Sequence, residues 1–130
     1  MDIIFLPDIS FYKTSKTSRE FINFEFFLKK IKKKFKNYEI FVNLENVLLS
    51  KISKPKNIQK YNLYSDTEYA DFLSKYNIKN ICLSNNHIFD FGYSGFLQTT
   101  KSLKKKNMSF FGAGKNIKEA QKPIILKNKN

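Results

Sequence analysis

Four short apolar runs, separated by stretches with helical periodicity, constrain the fold more than any other feature of this chain. The runs "IIFLPDIS" (residues 3–10), "YEIFVNL" (38–44), "IKNICLS" (78–84) and "MSFF" (108–111) are rich in β-branched and aromatic residues and too short for helices. They read as buried strands, the first broken near its end by Pro7. Between the first two, Phe21, Phe24, Phe27, Leu28, Ile31 and Phe35 recur at three- and four-residue steps among lysines, which predicts an amphipathic helix over residues 19–35. "SDTE" (65–68) has the spacing of a capping box, with Ser65 serving the Glu68 amide. It predicts a helix of about ten residues that buries Tyr69, Phe72, Leu73 and Tyr76. A further helix over 93–106 should bury Phe96, Leu97 and Leu103, and a short one should cover 116–121. The lysine-rich segment 50–64 holds Pro55 and no clear period, so it reads as a surface loop. Strands alternating with helices argue for an α/β fold, a mostly parallel sheet with flanking helices and right-handed crossovers. With 130 residues and 42% apolar content the chain is one small domain, or part of a larger one, with a genuine core.

That topology fixes where chemistry should sit, because ligands of such sheets bind beyond the carboxyl ends of the strands. Asp8, Glu45 and the cluster "NNHIFD" (85–90) each lie at the carboxyl end of a different expected strand, so three distant segments can bring polar side chains to one edge. Two carboxylates, an amide and an imidazole have the composition of a hard-metal hydrolytic site, in which His87 would serve as general acid. The same residues have a plainer reading. Asn85, Asn86 and Asp90 suit the turn between strand and helix and would bond to backbone or cap the helix. Gly112 and Gly114 stand before a short helix and either cradle an anion on backbone amides or simply make a turn. Cys82, the single cysteine, lies in an apolar run and reads as a buried, inert thiol. Phe110 and Phe111 read as core.

"VNLEN" (42–46), the run "LSNNHIFDFGYSGFLQTTKSLKKKNMSFFGAGKNIKEAQKPIIL" (83–126) and the opening strand with Asp8 together resemble the CapA family. These are bacterial capsule or poly-γ-glutamate synthesis proteins whose domain is related to the calcineurin-like metallophosphoesterases. The most specific parts are "NNHxxDxGxxG", the "GAG" turn and the "EAxxP" that follows. The resemblance implies the N-terminal half of a metallophosphoesterase-like fold with its site at the strand ends. By position, Asp8 matches the aspartate of the first metal motif, Glu45 a metal-bridging carboxylate and Asn86 an amide ligand. His87 matches the histidine that contacts the substrate phosphate or leaving group, and Asp90 would orient His87 through its ring nitrogen. A divalent cation (Mn, Zn, Fe or Mg) is the implied cofactor. Two departures stand out: Pro7 replaces the usual glycine before the first aspartate, and Ser10 replaces a histidine ligand. The family's sheet continues past the position of Asn130, and its later segments supply histidine ligands. The expectation is a partial domain over 1–130, truncated at its C-terminal end, whose two-metal centre needs donors from another chain.

Charge bears on partners. The formal net charge is +13, which ordinarily points to a polyanion such as nucleic acid, anionic lipid or an acidic polymer. Of the 24 basic residues, however, one (Arg19) is arginine and 23 are lysine, in a chain also rich in Asn, Ile, Phe and Tyr. A/T-biased codons produce that mixture, and arginine is what bidentate phosphate and base contacts favour, so nucleic acid is disfavoured as a partner. The resemblance implies an anionic capsule polymer or other capsule-synthesis proteins instead. A sheet lacking later strands should also expose an edge and self-associate. No apolar run approaches the roughly 18 residues of a membrane span, and "MDIIFLPD" is too short and acidic for a signal peptide. Family members are commonly membrane-anchored or extracytoplasmic, so localisation stays open. The chain is thus either a capsule-synthesis protein with a metal-dependent phosphoesterase-like site or a non-catalytic remnant serving as a binding module.

Overall fold

The computed structural model describes residues 1–51, 54–56 and 61–127. In chain order the elements are β1 (Ile3–Ile9), α1 (Arg19–Lys34), β2 (Glu39–Leu44), β3 (Val47–Leu49), β4 (Tyr64–Asp66), α2 (Glu68–Lys75), β5 (Asn80–Cys82), α3 (Gly92–Lys105), β6 (Ser109–Phe111) and α4 (Ile117–Ala120). The strands β1, β2, β5 and β6 form one sheet in that spatial order, and every pairing in it is parallel. The carboxyl ends of β1, β2 and β5 therefore emerge at one edge, as the alternating pattern requires. β3 and β4 make a separate parallel pair. β3 and β4 do not show as strands in the sequence, because β4 (Tyr64–Asp66) is a polar stretch and β3 (Val47–Leu49) has no apolar partner run beside it. Tyr64, the end of the expected loop, opens β4; residues 52–53 and 57–60 of that loop lie outside the described residues.

One apolar core explains the assembly. Leu28 from α1, Leu73 from α2 and Leu103 from α3 pack with Ile40, Val42, Leu44, Ile81 and Leu83 of β2, β5 and their flanks, all essentially buried. Burying side chains of this size stabilises by about 1.5–3 kcal/mol each, so helices that share the core need little intrinsic propensity. The other face of the sheet carries a row of rings: Phe5 and Phe41 lie 5.2 Å apart and Phe41 and Phe111 6.2 Å. Phe110 packs on the core while Phe111 is half-buried in that row.

Several local expectations shift in position. Ser18 caps α1 by accepting a hydrogen bond from the Phe21 amide at 3.2 Å, and Lys32, Lys33 and Lys34 favour the negative end of its dipole. Phe27 stays 42% exposed because it sits one step of about 100° from Leu28, at the margin of the apolar stripe. Leu97, one step from Phe96, is likewise 47% exposed. The expected capping box fails: Ser65 lies inside β4, and Asp66 Oδ1 accepts from the Glu68 amide at 2.8 Å instead. Even so, α2 buries Tyr69, Phe72 and Leu73, and Tyr76 follows at its cap. Pro7 does not end β1; it sits where the pairing slips between Phe5 and Asp8, on an edge strand that tolerates a missing donor.

Helices α1 and α2 are also joined electrostatically. Tyr76 and Lys75 both bond Glu25 Oε1, and these hydrogen bonds, the tyrosine's first, hold the Glu25 carboxyl below its ordinary value of 4.5. A depressed carboxyl stabilises the fold above its unfolded value and loses that contribution as pH falls through the folded one. Thermal melts of wild type should therefore fall below about pH 4.5 more steeply than those of Glu25→Gln, with the two curves converging at the acid end. Parallel curves would exclude this link.

Candidate active site

The edge where β1, β2 and β5 end is organised by asparagine amides. Asn43 is the register partner of Asp8, and its Nδ2 donates to Asp8 Oδ1 at 2.9 Å. Its Oδ1 accepts from Asn85 Nδ2 at 3.1 Å, and Asn85 Nδ2 also donates to the Leu44 carbonyl at 2.9 Å. Asn85 Oδ1 in turn accepts from the amides of His87 and Ile88, both at 3.0 Å. One chain of bonds thus runs from the exposed Asp8 through two half-buried amides to the turn that carries His87. Glu45 joins the same edge through its backbone, its amide donating to the Ile9 carbonyl at 3.0 Å. Its side chain is half-buried, whereas Asn86 is exposed.

His87 and Asp90 form the innermost part. Asp90 Oδ2 lies 2.8 Å from His87 Nδ1 and accepts from the Leu63 amide at 2.8 Å. The Asp90 side chain is 0% exposed and that of His87 is 15% exposed. The Asp90 carbonyl accepts from the Lys56 amide at 2.9 Å. Lys56 and Leu63, on either side of residues 57–60, therefore both donate backbone amides to Asp90. Asp90 Oδ1 is buried and has no hydrogen-bond partner among the described residues. A carboxylate oxygen only accepts, so His87 Nδ1 carries a hydrogen and Nε2 is the nitrogen left to take or give a proton.

The expected donors reach the same edge but do not close a ligand sphere. Among the described residues no three His, Cys, Asp or Glu side chains are grouped closely enough to hold a metal ion. Asp8, Glu45 and Asn86 provide two carboxylates and one amide, fewer than the six or so oxygens that hard divalent cations take. A cation here would complete its shell with water or with groups outside the described residues.

Gly112 and Gly114 have a packing role. Gly112 adopts φ +87°, and a Cβ on it would come within 2.7 Å of Ser84 Cβ. A Cβ on Gly114 would meet Glu119 Cβ at 2.4 Å and the Ala120 amide nitrogen at 2.8 Å. The nearby amides already have side-chain acceptors: Lys115 N donates to Glu119 Oε2 and Glu119 N to Asn116 Oδ1. Cys82 is half-buried, and its sulfur accepts from the Ser84 amide at 3.4 Å.

The model of the family described as bacterial capsule synthesis protein PGA_cap matches residues 2–130. The chain belongs to the PGA_cap family. A curated relative, the capsule biosynthesis protein CapA of Bacillus anthracis, is 40% identical over 48 residues. That match takes in 37% of this chain and spans 11% of the length of CapA. PGA_cap membership accounts for the parallel α/β sheet and for the resemblance carried by "NNHxxDxGxxG". Asn43 and Asn46 were not singled out from the sequence, although an asparagine inside an apolar strand is itself a signal, since strands disfavour it. Asn46, fully buried, accepts from the Phe11 amide and donates to Ser65 Oγ, tying the exit of β1 to β4.

Proposed function

We propose that this PGA_cap chain acts in the synthesis of an anionic capsule polymer and meets that polymer or its precursor at the strand-end edge. The reading rests on family membership over residues 2–130 combined with a histidine held there by a buried carboxylate. Asp90 orients the ring, and in its imidazolium form His87 donates from Nε2 to an anionic oxygen or passes that proton to a leaving group. Asn43 and Asn85 tie the turn that carries His87 to the ends of β1 and β2. The finer form of the proposal is a metal-dependent phosphoester step with Asp8, Glu45 and Asn86 as this chain's donors.

A second reading, a binding module with no chemistry of its own, gains support from the open donor set described above. The test is genetic. A host lacking this chain should lose most of its extracellular anionic polymer, and wild type but not His87→Gln should restore it, with the variant's accumulation and melting temperature checked alongside. Full restoration by His87→Gln would leave only the binding module. An unchanged capsule in the deletion strain would remove the capsule role altogether.

A further inference from the structure

The outward face of α1 combines features that a solvated helix does not. Ile22 is 54% exposed, Phe26 58% and Phe27 42%. At about 100° per residue these three share an arc of roughly 140° with Lys30, Lys33 and Lys34. All three lysines are exposed, and Lys30 Nζ sits 4.4 Å from the centre of the Phe26 ring. No carboxylate falls in the arc. Glu20 lies just past its margin, and Glu25 faces the other way, against Lys75 and Tyr76 of the α2 end. Codon bias makes lysine, isoleucine and phenylalanine frequent, but it does not gather them on one exposed arc of a helix whose other side is buried.

We propose that this face of α1 adsorbs to an anionic lipid bilayer. The helix lies in the plane of the interface, with Ile22, Phe26 and Phe27 entering the boundary between headgroups and acyl chains. The lysines extend their stems along the apolar surface and reach lipid phosphates. Charge complementarity selects this occupant: a cationic face in a chain of net charge +13 meets a negative surface. An acidic polymer would satisfy the lysines but offer the phenylalanines nothing to bury in, and nucleic-acid bases would stack on the rings but leave Ile22 in water. The inference stands apart from the strand-end site, since α1 packs on the core through Phe21 and Leu28, opposite the arc.

The chain contains no tryptophan, so Phe26→Trp gives a single reporter. Mixed with vesicles of phosphatidylglycerol and phosphatidylcholine, it should show a blue shift and quenching by a lipid-borne quencher, and neither with phosphatidylcholine alone. In co-sedimentation, Phe26→Ser/Phe27→Ser should partition about tenfold more weakly, as expected from losing part of the transfer energy of two rings. Each of Lys30→Gln, Lys33→Gln and Lys34→Gln should weaken binding about fivefold. Phe26, Phe27 and the three lysines are all exposed, so the melting temperature should stay near that of wild type. The proposal fails if vesicles bind without any dependence on Phe26 and Phe27. It fails equally if the reporter stays in water while poly-γ-glutamate or DNA binds tightly.

Discussion

Replacing Asn85 with alanine should cost about 3 kcal/mol of folding stability and displace His87, because four hydrogen bonds meet on this one amide. Its Oδ1 serves the amides of His87 and Ile88, while its Nδ2 serves Asn43 Oδ1 and the Leu44 carbonyl. Leu44 is fully buried, so that neighbourhood has little access to water to replace a lost donor. Asn85→Asp separates the two halves of the effect. It keeps an acceptor for the two turn amides but points a carboxylate oxygen at two other oxygens where a donor stood. The aspartate variant should therefore fall between wild type and alanine, losing about 1–2 kcal/mol in a urea melt. If alanine and aspartate are equally destabilised, the strand-side bonds carry the whole effect. If aspartate matches wild type, they carry none.

How much of this was legible follows from which residues make the arrangement. The four strands of the main sheet were readable because each is a run of branched or aromatic residues flanked by helical periodicity, and the parallel order follows from that alternation. His87, Asp90, Glu45 and Asp8 are readable as a group because each lies at or just past the carboxyl end of a strand. What composition and spacing leave open is how they are joined. The link runs through Asn43, a strand residue whose side chain is chosen by its register partner Asp8, and register is set by tertiary pairing. Phe27 and Leu97 show the opposite error. Both fit a helical repeat as well as their neighbours do, and only the position of the packed layer decides which side of the stripe stays wet. Ser65 and Glu68 match a capping box by spacing, yet β3 claims Ser65 for a strand pair, and Asp66 takes over the capping bond one residue later. The resemblance carried the site assignments further than spacing did, though it named ligands that this chain's described residues do not gather into a closed set.

Asp90→Ala should be the most damaging change at the site, costing about 3–4 kcal/mol, because one buried oxygen serves two donors. Oδ2 takes both the Leu63 amide and the His87 Nδ1 hydrogen, and deleting it leaves the first without an acceptor where β4 begins and the second without a guide. Asp90→Asn has a different signature. An amide oxygen placed at the Oδ2 position keeps both bonds, and the NH2 then occupies the Oδ1 position, where no partner stands among the described residues. The fold should survive with a loss of about 1–2 kcal/mol, while the negative charge beside the imidazole is gone. Because the chain has one histidine, its ring signals need no assignment. Nitrogen-resolved spectra of neutral His87 should show the hydrogen on Nδ1 in wild type and Asp90→Asn, and a shift toward Nε2 in Asp90→Ala. In the capsule assay, Asp90→Asn should then behave like His87→Gln if charge on the carboxylate supports proton transfer, and like wild type if Asp90 only aims the ring. A wild-type ring with its hydrogen on Nε2 would break the pairing on which the proposed role of His87 rests.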